Sequence, residues 1–156
     1  MRRKILVIDD DQSFLVVLKQ ALQSEEFELM TAQTGADGLQ QALAFHPDLV
    51  ILDIMMPGMD GWEVCRRLRE ITNIPVLFLT AKRGEDDVVK SLVLGGDDYV
   101  QKPVRVHELR ARLEALLRRA EAGRPTFHAP SYDDGELVVD LTQPRVLLRG
   151  RPVDMT

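Results

Sequence analysis

The sequence predicts an α/β domain with a five-stranded parallel sheet and helices on both faces, followed by a short β-rich segment. Three observations predict it. Short apolar runs alternate with stretches of helical periodicity through the first two-thirds of the chain. Those runs are near-continuous in Ile, Leu and Val, as befits strands covered on both sides. Their carboxyl ends carry acidic, hydroxyl and basic residues, where open parallel sheets place their sites.

Ile5-Leu6-Val7-Ile8 reads as the first strand, and Phe14, Leu15, Leu18, Ala21 and Leu22 recur at helical spacing after it. Phe27 to Ala32 is the second strand. Gly35 to Ala44 is a short helix ended by Pro47, and Leu49 to Leu52 is the third strand. Gly61 to Glu70 is a helix with Trp62, Val64, Cys65 and Leu68 inward. Pro75 to Leu79 is the fourth strand, and Glu85 to Leu94 is a helix closed by Gly95-Gly96. Tyr99-Val100 belongs to a short fifth strand. Val106 to Arg119 is the last helix, with Leu109, Leu113, Leu116 and Leu117 on one stripe.

The character changes at Ala120. Ala122-Gly123-Arg124-Pro125 and Ala129-Pro130 read as a linker. Glu136 to Asp140 and Arg145 to Arg149 are short strand-like runs, but residues 131–156 are too few to hold a core alone.

The 156 residues allow one domain, or one domain and a fragment. With 45% hydrophobic and 29% charged residues, the chain can bury a real core. A net charge of -5 does not favour non-specific nucleic-acid binding through the bulk surface. The single cysteine, Cys65, excludes an intramolecular disulfide and reads as a small core residue. The start is basic, but Ile5 to Ile8 is too short for a signal-peptide core, and no apolar run approaches the ~20 residues of a membrane span. A cytoplasmic protein is expected.

The strand ends hold the chemistry. Strand one ends in Asp9-Asp10-Asp11, strand three in Asp53, strand four in Thr80-Ala81 and strand five in Lys102-Pro103. Each residue has an ordinary use, since an aspartate can cap a helix, a threonine can form a turn and a lysine can be a solvated surface charge. The conjunction of these residue types in one sheet is what points further. If strand one lies between strands two and three, Asp9, Asp10 and Asp53 converge. Two carboxylates ~4 Å apart at an effective dielectric of ~20 repel by about 4 kcal/mol, so the cluster calls for a cation. Mg²⁺ suits it, needing only a few carboxylates beside its waters. With the Lys102 ammonium and the Thr80 hydroxyl, such a pocket can clamp a transferring phosphoryl group, with Asp53 as nucleophile and an acyl phosphate as product.

The stretches KILVIDDD (4–11), DLVILDIMMPGMDGWEVCRRLR (48–69), PVLFLTAK (75–82) and GGDDYVQKP (95–103) resemble a two-component response regulator. The resemblance makes residues 1–120 a receiver domain, 121–130 a linker and 131–156 a partial sheet of a winged-helix DNA-binding domain. It implies a flavodoxin-like fold with strand order 2-1-3-4-5. It implies that a sensor histidine kinase phosphorylates Asp53, that Asp10 and Asp53 bind Mg²⁺ with the Met55 backbone carbonyl, and that Asp9 acts mainly through water. Thr80 would move to bond the phosphoryl group, Tyr99 would turn inward with it, and Lys102 would pair with the phosphate. The Lys102-Pro103 bond would be cis. Met55 and Lys82 would flank the pocket and tune the phosphoryl lifetime. The expected activity is that of a phosphoacceptor switch, with Mg-dependent self-phosphorylation and autodephosphorylation only.

The tail, SYDDGELVVDLTQPRVLLRGRPVDMT, is similar to the opening sheet of the winged-helix (OmpR/PhoB-like) transcription-factor subfamily. The recognition helix is not in this sequence, so DNA would be read only through the missing part of the effector domain. Arg145, Arg149 and Arg151 read as a solvated strand face. The apolar residues Leu137, Val139, Val146 and Leu148 would pack on the receiver or pair with another chain's strands. Members of this subfamily dimerise on phosphorylation through the fourth helix, fifth strand and fifth helix. Asp98 and Arg112 fit one of the ion pairs used there. Glu108 fits half of a second, but Val88 stands where its basic partner is expected. Val93 and Glu114 occupy a third pair, so a weaker or altered dimer is expected, with exposed Val88 and Val93 able to add apolar contact.

Two other function classes fit the sequence less well. An aspartyl phosphohydrolase needs an acid-base group near the nucleophile and a capping insertion, yet Met55 follows two residues after Asp53 and no insertion exists. A phosphorylation-independent module would be expected to lack Asp10, Thr80 or Lys102, and all three are present.

Overall fold

The structure is a computed structural model that describes residues 2–82 and 84–123. Among the described residues ten elements alternate: β1 (Arg3–Ile8), α1 (Gln12–Leu22), β2 (Phe27–Ala32), α2 (Gly35–Phe45), β3 (Leu49–Leu52), α3 (Gly61–Leu68), β4 (Val76–Thr80), α4 (Glu85–Val93), β5 (Asp98–Gln101) and α5 (Val106–Gly123). The five strands pair in parallel in the order β2-β1-β3-β4-β5. The expected doubly wound sheet is therefore present, and β1 lies between β2 and β3.

Because side chains alternate across a strand, the sheet makes two cores. Ile5, Val7, Ile51, Leu77 and Leu79 face the apolar stripes of α1 and α5, where Leu15, Leu18, Leu109 and Leu113 are buried. Leu6, Ile8, Val50, Leu52 and Phe78 face the opposite side, with Val64, Cys65 and Leu68 of α3 and Ala42 of α2. Trp62 is only partly buried against this second core.

The helix ends follow local chemistry. Asp11, Thr34 and Asp60 cap α1, α2 and α3, each accepting a hydrogen bond from a backbone N–H of the first turn. Asp11 is thus the helix cap of the triplet, while its two neighbours serve the pocket. Gly61 has a steric reason: a Cβ there would lie 2.1 Å from the backbone oxygen of Asp53. Only glycine lets α3 start against the end of β3.

Some bounds differ from the expectation. β1 begins two residues earlier, at Arg3, because Arg3 and Lys4 pair with Phe27 and Glu28 of β2. α3 stops at Leu68, before Glu70. α5 runs to Gly123, so residues 121–123 are helix, not the start of a linker, since a helix of good formers continues until something breaks it. The rest of the expected linker and the strand-like segment 131–156 lie outside the described residues. Among the described residues, no helix is long and apolar enough to cross a membrane.

Candidate functional site

The carboxyl ends of β1 and β3 bring Asp9, Asp10 and Asp53 together. Asp9 donates its backbone N–H to Ala32 O at 3.0 Å, and Asp53 donates to Ile8 O at 3.0 Å. Each aspartate is therefore held by the neighbouring strand, one residue past its own strand's end. One carboxylate oxygen from each of Asp9, Asp10 and Asp53 lies within 4.8 Å of the other two. Asp9 and Asp53 are buried, and Asp10 is exposed.

Lys102 provides the countercharge. Its ammonium donates to Asp9 Oδ2 at 2.7 Å and stands 3.6 Å from Asp53 Oδ2. It also sits 4.1 Å from the centre of the Phe14 ring, whose face favours a cation. The Lys102-Pro103 bond is cis, as expected. Burial pushes the Asp9 carboxyl above the usual range, and the hydrogen bond from Lys102 opposes that shift.

The donor set suits a hard divalent cation. It is made of carboxylate oxygens, and one ammonium does not neutralise three carboxylates. The cluster is of the kind that suits Mg²⁺, and it is open on the side of Asp10.

Thr80, at the end of β4, is fully buried, and its Oγ1 accepts a long bond of 3.4 Å from Lys82 N–H. Tyr99 is half-buried and donates its hydroxyl to Lys82 O at 2.9 Å. Its phenol is pushed up, first by burial and then by the charges of Asp87 and Asp53. Met55 donates its N–H to Asp53 Oδ1 at 3.4 Å and exposes most of its side chain. An open groove of about 330 Å³ adjoins the site, with Met55, Pro57, Trp62 and Lys82 among its walls.

The expected dimer-face residues meet each other inside one chain. Arg112 bonds Asp98 at 3.1 Å and Glu108 at 3.3 Å. Val93 is 79% exposed, but Val88, expected to be exposed, is half-buried because α4 turns it toward the domain.

Sequence reasoning missed three contributors. Phe14 read only as a core residue, yet its ring supports the Lys102 ammonium. Asp87 pairs with Lys82 at 3.7 Å. Arg69 binds the carbonyls of Gly95 and Ile74 and the carboxylate of Asp97, tying the end of α3 to the loops that lead into β4 and β5. In sequence Arg69 is one of several arginines at the end of a helix, with nothing to show its distant partners.

Comparison with known proteins agrees with this geometry. Residues 5–114 match the family model described as the response regulator receiver domain. The chain is 40% identical over 152 residues to the transcriptional regulatory protein AfsQ1 of Streptomyces coelicolor, covering 97% of this chain and 66% of that protein. It is 40% identical over 141 residues to the alkaline phosphatase synthesis transcriptional regulatory protein PhoP of Bacillus subtilis, covering 89% of this chain and 59% of that one. The chain thus spans two-thirds or less of the length of these two relatives. A crystal structure of a two-component response regulator from Clostridium difficile superposes with a TM-score of 0.73 at 30% identity, covering 76% of this chain and 98% of that one.

Proposed function

The chain belongs to the response regulator receiver-domain family, and on that premise we propose that Asp53 takes a phosphoryl group from a sensor histidine kinase. A receiver domain is a phosphoacceptor switch and not an enzyme with a separate substrate. The observation that carries the assignment to Asp53 is the shared ammonium: Lys102 reaches both Asp9 and Asp53.

The roles follow from position. The Asp53 carboxylate attacks phosphorus, the P–N bond of the phosphohistidine breaks, and the imidazole leaves with the electron pair and is protonated. Asp53 ends as an acyl phosphate. Lys102, close by, pairs with the new negative charge. Asp10, Asp53 and the Met55 carbonyl would hold Mg²⁺, with Asp9 contributing to its binding mainly through water. That ion, when bound, screens the phosphoryl oxygens from the carboxylates. Thr80 closes onto the phosphoryl group, and Tyr99 follows it. Switching requires that the two states differ in interaction energy, and the phosphoryl charge supplies that difference.

Met55, with most of its side chain exposed and no acid-base group, gives no support to a phosphohydrolase. The output is transcriptional control in a longer protein, carried by DNA-contacting parts beyond this sequence. Weakened or altered dimerisation through α4, β5 and α5 on phosphorylation, and a cytoplasmic location, belong to the same proposal.

The test is intact mass after incubation with Mg²⁺ and a small acyl phosphate, on this chain and on Asp53→Asn. One added phosphoryl group on the first and none on the second supports the assignment. No addition to a folded parent chain overturns it.

A further inference from the structure

α4 rests on the domain through one buried side chain, and that side chain is polar. Ser91 is the sole buried residue of the helix. Val89, Leu92 and Val93 are 57%, 46% and 79% exposed. The N-cap, Gly84, makes no side-chain capping bond. A helix of nine residues is too short to hold itself in water and depends on tertiary contacts. Here those contacts are not an apolar stripe, since beside Ser91 only Asp87 and Val88 are half-buried.

Trp62 on α3 supplies them. Its Nε1–H donates to Ser91 Oγ at 2.9 Å, and the Ser91 hydroxyl donates to Asp87 O at 2.8 Å. The indole packs against the core on one side. Its ring also carries Lys90 at 4.0 Å and Lys82 at 5.6 Å from the ring centre. Lys82 is the link to the pocket. Its ammonium stands 3.7 Å from Asp87, its N–H reaches Thr80, and its carbonyl accepts the Tyr99 hydroxyl.

We propose that Trp62 is the positioning residue that seats α4, and that the state of Asp53 reaches α4 through the Lys82 side chain held between Trp62 and Asp87. The second half rests on the phosphoacceptor reading. A phosphoryl group adds up to two negative charges beside the groove that Lys82 lines. It draws the Lys82 ammonium away from Asp87 and the indole. The first turn of α4, with Glu85, Asp86 and Asp87, then loses a counterion. Its seat is left to the Trp62–Ser91 hydrogen bond and the Lys90 contact.

Trp62 is the only tryptophan, so its emission reports this contact directly. The experiment measures amide hydrogen exchange of α4 and indole emission, with and without Mg²⁺ and acyl phosphate, and intact mass on the same samples. The proteins are the parent chain, Trp62→Phe and Ser91→Ala. The serine change removes only a hydroxyl, and exchange of β1 and β3 reports whether the fold is kept. In the unmodified proteins, both variants are expected to speed α4 exchange about three- to tenfold, the size of one lost part-buried hydrogen bond, while β1 and β3 exchange as in the parent. Phosphorylation of the parent is expected to shift indole emission and speed α4 exchange, and to speed it at least as much again in Ser91→Ala, where loss of the Lys82–Asp87 pair leaves only the Lys90 contact. Unchanged α4 exchange in both variants overturns the seat. A mass-confirmed phosphoryl group with unchanged emission and unchanged α4 exchange overturns the coupling. Absence of added mass counts against the phosphoacceptor reading alone, and the unmodified variants still decide the seat.

Discussion

Lys102 stands closer to Asp9 than to Asp53, at 2.7 Å against 3.6 Å. One ammonium is shared unequally, and the carboxylate it holds less tightly is the one proposed to react. Asp9 is 2% exposed, so Lys102 is the partner that makes its burial tolerable. Replacing Lys102 by Met leaves three carboxylates without that countercharge. The expected result is a loss of about 2–4 kcal/mol in metal-free buffer, offset in part by Mg²⁺, which should stabilise the variant more than the parent. Thermal unfolding of both proteins, in chelator and in millimolar Mg²⁺, checks this. An equal Mg²⁺-induced rise in the two proteins would count against a shared cation pocket.

Gly61 ties helix placement to the reacting strand end. A Cβ at this position meets the Asp53 backbone oxygen at 2.1 Å, and backbone cannot move aside as a side-chain tip can. Gly61→Ala is expected to cost about 1–3 kcal/mol and to lower the yield of acyl phosphate, because relief of the clash displaces Asp53. Urea unfolding and intact mass read the two effects. Parent-like values for both would show that α3 can start elsewhere.

The Cys65 thiol is buried and pushed up chiefly by that burial, and its Sγ lies 3.6 Å from Leu94 O. The folded chain keeps the thiol proton to higher pH than the unfolded chain, whose thiol titrates near ~8.5. The associated stability is present below that value and is lost as pH rises through the higher folded value. At pH 8 an aromatic disulfide reagent should modify the native protein far more slowly than the urea-unfolded one. Modification of the native protein at the unfolded rate would contradict the assigned burial.

Arg112 satisfies Asp98 and Glu108 within its own chain. A partner must therefore exchange these contacts rather than add new ones, and exposed ion pairs contribute little in any case. Val93 offers apolar surface where a charge is expected. The phosphorylated chain is predicted to stay largely monomeric at micromolar concentration. Sedimentation that shows a tight symmetric dimer on the α4-β5-α5 face would refute this.

The element order, the strand ends and the residue types of the pocket were all legible in the sequence. Ile5 to Ile8, Leu49 to Leu52 and the stripe Leu109, Leu113, Leu116 and Leu117 announce themselves because burial imposes a period on a single segment. Asp9, Asp53, Thr80 and Lys102 are legible because strand ends are legible. The convergence of the three aspartates depended on β1 lying between β2 and β3, and the resemblance to a known family supplied that order.

Partnership between elements was decided only by the tertiary structure. That Trp62 donates to Ser91, that Arg69 binds Gly95 and Ile74, and that Arg112 closes on Asp98 in the same chain leave no mark in local pattern. Val88 and Val93 look alike in sequence, yet one is half-buried and the other exposed. Periodicity records which face of an element leaves water. It does not record which side chain of a distant element waits there, because hydrogen bonds and ion pairs depend on positions set only when the layers pack.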